Sequence, residues 1–121
     1  MGRDKMERIE LSRMVGGSRI LVEAVRLDHG LHVLMAGGSR THVGAVTGAG
    51  YPEEKTISFG THKEAAVTGR WAKSLADAIG EPCTVAAEIH YDGADQALIQ
   101  EVLAACDGLL NELAERLTSG E

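Results

Sequence analysis

Short runs rich in Val, Ile, Leu and Thr, separated by glycine-containing turns, fill residues 6–48 of this 121-residue chain. The turns are VGGS, LDHG and AGGSR, and the runs between them have the length of strands. In the first run, Ile9 and Leu11 alternate with the polar residues Arg8, Glu10 and Ser12, as in a strand with one wet face. We therefore expect four strands, over about 6–14, 18–27, 31–37 and 41–48, joined as an antiparallel meander.

A helix, a fifth strand and a second helix are predicted to follow. THKE has the form of a capping box, with Thr61 as the N-cap and Glu64 reaching back to it, and the helical pattern ends near Gly80. CTVAAEIH, residues 83–90, alternates as a strand does. A wide apolar stripe over residues 98–117 predicts a long last helix that starts near Asp92 or Ala94. The segment AGYPEEKTISFG, before the first helix, is expected to be an irregular loop.

The element order ββββαβα predicts an α+β fold with two layers, in which an antiparallel-rich five-stranded sheet carries both helices on one face. The helix between the fourth and fifth strands could make a right-handed crossover, which would leave those two strands parallel to each other. The length of the chain suits a single domain over residues 1–121, with an ordered core over about 6–117.

Charge and composition disfavour several classes of protein. The formal net charge is -6 without any basic stripe, and one Trp, two Tyr and one Phe are too few for a base-stacking platform, so no nucleic-acid partner is expected. No apolar run approaches the roughly 18 to 20 residues of a membrane span, and the first residues carry no apolar signal segment. Cys83 and Cys106 lie in no CxxC or zinc-type spacing, which favours reduced, buried thiols and a cytoplasmic location.

The glycine-rich stretch GGSRTHVGAV, residues 37–46, is the first candidate binding site. It matches neither the Walker nor the Rossmann pattern, because both need a strand before the glycines and a helix after them. One interpretation is that Gly37 and Gly38 form a hairpin turn between two strands. The other is that Arg40, Thr41 and His42 hold an anion beside the glycine amides.

The start of the first predicted helix, at Thr61, His62 and Lys63, is the second candidate. A helix N-terminus offers free N–H groups and the positive end of the dipole to a phosphate or carboxylate, and Lys63 would add charge. A lysine at this end is unfavourable for the helix itself, and a bound anion would offset that cost. The alternative is a solvated first turn that tolerates the lysine.

Histidines near the ends of predicted elements form the third candidate. His42, His62 and His90 could bind zinc, but no HxH or HExxH spacing supports a metal, and none is expected. Glu88, His90 and Asp92, at alternating positions of one strand, could act as acid and base groups. Any half-exposed strand, however, shows polar residues at alternating positions. The chain also lacks a GxSxG elbow and a cysteine–histidine signature, so we assign no catalytic residue.

Three stretches, THVGAVTGA, GTHKEAAVTGRWAKSLADAIG and TVAAEIHYDGADQALIQEVLAACDGLL, carry a family resemblance. Together they resemble the prenylated-flavin chaperone-like family, the small D-type component associated with UbiD-type hydroxyarylic acid decarboxylases. The resemblance covers about residues 18–117. The matching positions are His42 and Gly44 on a strand, His62, Lys63 and Glu64 at a helix start, and His90 with Asp92 before the last helix.

The resemblance implies a compact fold like that of proteasome-assembly chaperones, a homo-oligomer (dimer or higher), and an accessory protein rather than an enzyme. It would bind prenylated flavin mononucleotide, or ordinary FMN, as cargo and deliver it to the catalytic subunit of a UbiD-type decarboxylase. The candidate cofactor-binding residues are Gly37, Gly38, Arg40, Thr41, His42, Gly44, Thr61, His62, Lys63, His90 and Asp92. Among these, Lys63 and Arg40 would anchor the phosphate together with the amides of Gly37 and Gly38.

Two other functions stay open at this point. One is a non-catalytic protein-interaction subunit without a bound cofactor, which would expose a broad apolar patch. The other is a small enzyme that uses the region of His42, His62 and His90, which would show perturbed pKa values in a cleft.

Overall fold

The computed structural model describes residues 6–50, 53–59 and 63–119. Within them the chain forms one mixed sheet and two helices, α1 (Lys63–Ile79) and α2 (Gln96–Thr118). The six strands are β1 (Glu7–Val15), β2 (Ser18–Leu27), β3 (Gly30–Gly38), β4 (Ala45–Ala49), β5 (Lys55–Ser58) and β6 (Cys83–His90). The α+β class with both helices on one face is confirmed, and the sheet has one strand more than expected.

The additional strand, β5, lies within the segment expected to be an irregular loop. It pairs antiparallel with β4 at the edge of the sheet. All four of its residues are exposed, including Ile57, so the sequence carries no alternation between buried and exposed positions there. A short edge strand of this kind leaves almost no periodic signal in the sequence.

The strand order is β1-β2-β3-β6-β4-β5. The first three strands form the predicted meander, but β6 separates β3 from β4, so the hairpin expected between those two strands is wrong. β6 runs parallel to β3 and antiparallel to β4. The parallel pairing considered for the strands before and after α1 is therefore wrong as well. The connection after β3 therefore crosses the end of β6 instead of turning back on itself.

The core lies between the helices and one face of the sheet. Trp71 and Leu75 of α1 and Leu109 and Leu113 of α2 are fully buried against this face. α1 packs mainly on β4 and β6, whereas α2 packs mainly on β1. The two helices thus cover different strands and meet over the end of β6.

The opposite face of the sheet carries neither helix. Its half-buried apolar side chains, which we call the open face, are Leu21, Val25, Leu34, Val46 and Ala86. These residues alternate with the core residues along β2, β3, β4 and β6, as expected for a sheet with one covered face.

The last helix begins later than the sequence predicted. Asp95 is its N-cap, in extended conformation, and the Asp95 carboxylate accepts a hydrogen bond of 2.8 Å from the N–H of Leu98. Residues 92–94 form a turn between β6 and this cap, with Gly93 in the left-handed region at a φ of 61°. This turn is long enough to leave a gap between the end of β6 and the first turn of α2.

Candidate functional site

A cleft of about 680 Å³ opens where α1, α2 and the end of β6 meet. This volume lies within the range of roughly 300 to 1,000 Å³ that is usual for sites of small ligands and cofactors. Its lining residues are His42, Phe59, Glu64, Val67, Ala87, Ile89, His90, Tyr91, Gly93, Ala94, Ile99, Val102, Leu103 and Cys106.

The walls of the cleft are mainly apolar because α2 divides its apolar stripe between two tasks. The C-terminal half of the helix, with Leu109 and Leu113, is buried in the core. The N-terminal half presents Ile99, Val102 and Leu103 to the cleft, and Leu103 is 45% exposed. The stripe is therefore wider and longer than the core requires. That excess was visible in the sequence, but its use as a cleft wall was not.

A row of five polar side chains lines and flanks one side of the cleft, and we call it the polar row. Its order is Glu64, His42, His90, Asp92 and Arg40. The Glu64 Oε2 to His42 Nε2 distance is 3.6 Å, and the two imidazole rings meet edge to face with centroids 5.5 Å apart. Asp92 Oδ1 lies 3.0 Å from His90 Nε2 and accepts a hydrogen bond of 2.9 Å from Arg40. The row has a carboxylate at one end and a guanidinium at the other.

The strand order assembles the polar row. Because β4 lies beyond β6, residues 39–44 must cross the end of β6, where the N–H of Ser39 donates a 2.7 Å hydrogen bond to the carbonyl of His90. The N–H of Asp92 in turn donates to the Ser39 hydroxyl at 3.1 Å. This crossing holds Arg40 and His42 beside His90 and Asp92, although about fifty residues separate the two pairs in the sequence.

Arg40 controls the ionisation of Asp92. The hydrogen bond from Arg40 holds the pKa of the Asp92 carboxyl below its usual range, and His90 adds a smaller effect in the same direction. Both side chains are largely exposed, so this ion pair positions the two groups more than it stabilises the fold. The guanidinium of Arg40 retains further N–H donors for an anion, since one arginine carries five.

Glu64 occupies the other end of the row and is nearly sequestered from solvent. The residue is 8% exposed, and its Oε2 has no hydrogen-bond partner within the described part of the chain. Gly44 makes room for this carboxylate, because a Cβ at position 44 would lie 2.5 Å from both Cδ and Oε2 of Glu64. The His-x-Gly-Ala pattern noted in the sequence thus has a steric reason.

Gly37 and Gly38 lie in the last part of β3 and do not line the cleft. A Cβ at Gly37 would come within 2.3 Å of the Arg19 carbonyl oxygen, and one at Gly38 within 2.1 Å of the His90 carbonyl oxygen. Close approach of neighbouring strands therefore accounts for these two glycines.

The other predicted site residues divide into two groups. Thr41 is exposed in the crossing segment and is not among the lining residues. Thr61 and His62 lie outside the described residues, as does the side chain of Lys63, the first residue of α1. The capping box predicted at Thr61 falls in the same undescribed part. Of the predicted site residues, His42 and His90 line the cleft. Gly44 leaves space beside Glu64, and Arg40 and Asp92 flank the cleft in the polar row.

Both cysteines are free and buried. Burial raises the pKa of the Cys83 thiol to about 12 and that of Cys106 to about 11, with Asp107 adding to the shift at Cys106. Cys106 lines the cleft as a neutral, soft apolar surface rather than as a thiolate. Within residues 6–50, 53–59 and 63–119, no three His, Cys, Asp or Glu side chains are placed to share a metal ion.

The profile of the prenylated flavin chaperone LpdD-like domain matches residues 14–118, nearly the whole chain. The chain belongs to the prenylated flavin chaperone family. All the described residues of the cleft and of the polar row fall inside the matched region. The resemblance inferred from three stretches of sequence is therefore confirmed, and the matched region begins a few residues before the expected range of about 18–117.

The fold of this family member is similar to that of a solved yeast protein, from the crystal structure of a novel chaperone complex for yeast 20S proteasome assembly. The TM-score is 0.65 at 12% sequence identity, over 93% of this chain and 98% of the yeast chain. At this identity the likeness concerns the fold alone, and it confirms the expected similarity to proteasome-assembly chaperones. No curated protein sequence matches the chain. Among the described residues, no helix is both long and apolar enough to cross a membrane.

Proposed function

We propose that this protein binds prenylated flavin mononucleotide in the cleft and delivers it to the catalytic subunit of a UbiD-type decarboxylase. The observation that carries the proposal is the cleft itself, with apolar walls from α1, α2 and β6 and a polar row that has opposite charges at its two ends. Membership of a family of prenylated flavin chaperones supports the choice of ligand.

The chemistry of the cleft suits a flavin mononucleotide. A flavin combines a flat, largely apolar ring system with a dianionic phosphate on a flexible chain. The apolar walls would take the ring, and Arg40 would take the phosphate, because it is the cationic end of the polar row and stands furthest along the row from the Glu64 carboxylate. Lys63, at the start of α1, is the second candidate anchor.

The rim of the cleft supports delivery rather than permanent retention. Phe59 and Leu103, which both line the cleft, are 52% and 45% exposed, which is unusual for two large apolar side chains at one opening. A recipient enzyme that covers this rim would bury it and close the cleft on the transferred cofactor. We propose that the rim is the contact surface for the decarboxylase.

We also propose that the protein is a homo-oligomer that associates through the open face. No helix covers that face within the described residues, and its apolar side chains remain half-buried. A second copy of the same sheet would cover it. A cytoplasmic location is proposed as well, since two free buried thiols suit a reducing compartment.

The proposal is tested by titrating the purified protein with prenylated FMN, FMN and riboflavin, following flavin fluorescence. We expect the phosphate-bearing forms to bind more tightly than riboflavin, and Arg40→Ala to weaken them by about tenfold while leaving riboflavin unchanged. Arg8→Ala is the matched control, because Arg8 is also an exposed arginine that pairs with a carboxylate, at 3.0 Å from Glu23. Lys63→Ala measures the contribution of the second candidate anchor.

If the protein binds none of the three flavins, the proposed function is contradicted. If Arg40→Ala weakens the affinity for FMN and for riboflavin equally, Arg40 does not bind the phosphate, although the cleft can still be the flavin site. Delivery is followed by mixing the loaded protein with apo-decarboxylase and measuring how much flavin leaves the chaperone. No transfer to the apoenzyme would contradict the delivery step.

A further inference from the structure

Glu64 carries a buried carboxylate, one oxygen of which receives no hydrogen bond from the described residues. Its side chain is 10% exposed, and its Oε2 has no partner among the described residues. His42 Nε2, at 3.6 Å, is too far for a hydrogen bond. Because a buried carboxylate without partners is costly, such a group in a native fold calls for an explanation.

The surrounding structure holds this carboxylate in the wall of the cleft. Glu64 lines the cleft from the first turn of α1, where the helix dipole favours a negative charge. Gly44 gives it space from one side, and the backbone carbonyl of Ala87 closes the same region, since a Cβ at position 44 would lie 2.7 Å from that oxygen. A carboxylate turns readily about its last bond, so either oxygen can face a ligand.

A carboxylate only accepts hydrogen bonds, so its ligand must offer an N–H or O–H donor or a cation. The oxidised flavin ring has one such donor, the imide N–H between its two carbonyl groups on the pyrimidine ring, whereas the chain leaves from the central ring and carries the phosphate away from that donor. Glu64 and Arg40 likewise occupy opposite ends of the polar row. The order of charges in the protein therefore matches the order of polar groups in the ligand.

We propose that Glu64 accepts a hydrogen bond from the imide N–H of the bound flavin and so selects the orientation in which the ring enters the cleft. This inference rests on the proposed function, since it assumes that a flavin is the ligand. It adds a residue that recognises the ring, whereas the proposed function concerned the apolar walls and the phosphate.

The test compares FMN with 3-methyl-FMN, which lacks the imide N–H and is otherwise the same ligand. We expect the wild-type protein to bind FMN at least about tenfold more tightly than the methylated form, because a hydrogen bond to a charged acceptor is lost. In Glu64→Ala the ratio should fall to about one. Glu64→Gln keeps an acceptor oxygen and should retain part of the preference. Glu101→Ala, at an exposed carboxylate of α2, is the control and should keep the full ratio.

The ratio of the affinities for the two ligands, measured in one variant, separates recognition of the imide from folding. A general weakening of the cleft lowers both affinities together and leaves their ratio unchanged. Equal binding of the two flavins by the wild type, or an unchanged ratio in Glu64→Ala, would overturn the inference while leaving the proposed function intact. If FMN itself does not bind, the same comparison uses prenylated FMN in Glu64→Ala and Glu101→Ala, where equal affinities would overturn it. Binding of neither flavin would overturn the proposed function and the inference together.

Discussion

Gly44 shows how one missing side chain can decide the chemistry of a site. Its backbone φ is not in the left-handed region, so the residue is not required for a turn. What it provides is space beside Glu64 and beside the carbonyl of Ala87. Gly48, within β4, differs in this respect, since a Cβ there would meet nothing closer than a Thr84 methyl group at 3.8 Å.

Gly44→Ala is therefore expected to lower both stability and flavin affinity, whereas Gly48→Ala is expected to change neither by much. The loss of stability should be about 1 to 3 kcal/mol, because a backbone oxygen cannot move aside cheaply. Urea denaturation gives the free energy of unfolding, and flavin titration gives the affinity. Similar results for the two variants would show that the space at Gly44 is not limiting.

The two buried thiols predict a loss of stability at alkaline pH. Unfolded, each thiol ionises near its ordinary pKa of 9.0, whereas the folded pKa values are about 12 for Cys83 and about 11 for Cys106. From pH 9 to 11 the folded state thus holds protons that the unfolded state has released. The free energy of unfolding should fall in this window by up to about 1.4 kcal/mol per pH unit for each thiol.

The measurement is urea denaturation at pH 8, 9 and 10, for the wild type and for Cys83→Ala/Cys106→Ala. Other groups titrate in both proteins, so the difference between the two slopes isolates the thiols. The double variant is less stable at pH 8 because it loses buried atoms, and its dependence on pH should be shallower. Parallel curves would show that the thiols do not ionise differently in the two states.

At the scale of an element, α2 combines a half buried in the core and a half that lines the cleft. Leu109 and Leu113 are fully buried in the core, whereas Val102 is half-buried and Leu103 is largely exposed at the cleft. The sequence shows one continuous apolar stripe, because periodicity reports which side of a helix is apolar but not what that side touches.

Leu109→Ala and Leu103→Ala should separate these two halves. Leu109→Ala is expected to cost about 2 to 5 kcal/mol of unfolding free energy, since it opens a cavity at a buried site. Leu103→Ala should leave stability within about 0.5 kcal/mol and weaken flavin binding, since its side chain lines the cleft. Thermal unfolding and flavin titration on both variants check this division, which a large loss of stability in Leu103→Ala would contradict.

At the scale of the whole molecule, the open face is a sheet surface that neither helix covers in the described chain. The strands have between four and ten residues, so strands about 4.8 Å apart with about 3.3 Å per residue give the sheet a face of roughly 700 Å². That is near the roughly 800 Å² that each partner buries in a stable interface of standard size. The area is consistent with association of two copies through this face.

Leu34→Lys is expected to convert the oligomer to monomers. Leu34 lies on the open face directly across from Glu23 of β2, so a lysine there gains an intramolecular carboxylate partner while it opposes burial against a second copy. Ala104→Lys, at an exposed position of α2, is the control and should keep the oligomer. Light scattering after size-exclusion chromatography gives the masses. A monomeric wild type, or an unchanged mass in Leu34→Lys, would contradict association through this face.

The sequence by itself determined the kind and the approximate position of most elements. Glycine turns and alternation marked β1, β2, β3 and β6, and helical periodicity marked α1 and α2, because each of these signals depends on residues close together in the chain. The family could also be recognised from its short motifs. The start of α2 was misplaced by two to four residues, since several polar residues before it could have served as the cap.

Only the tertiary structure decided the strand order, and with it the site. Whether β4 or β6 lies next to β3 depends on a competition between pairings of residues far apart in the sequence, which no local pattern reports. The insertion of β6 forces residues 39–44 across its end, and this crossing brings His42 to His90 and Arg40 to Asp92. The burial of Glu64 has the same origin, because the space beside Gly44 exists only once α1 has packed on β4 and β6.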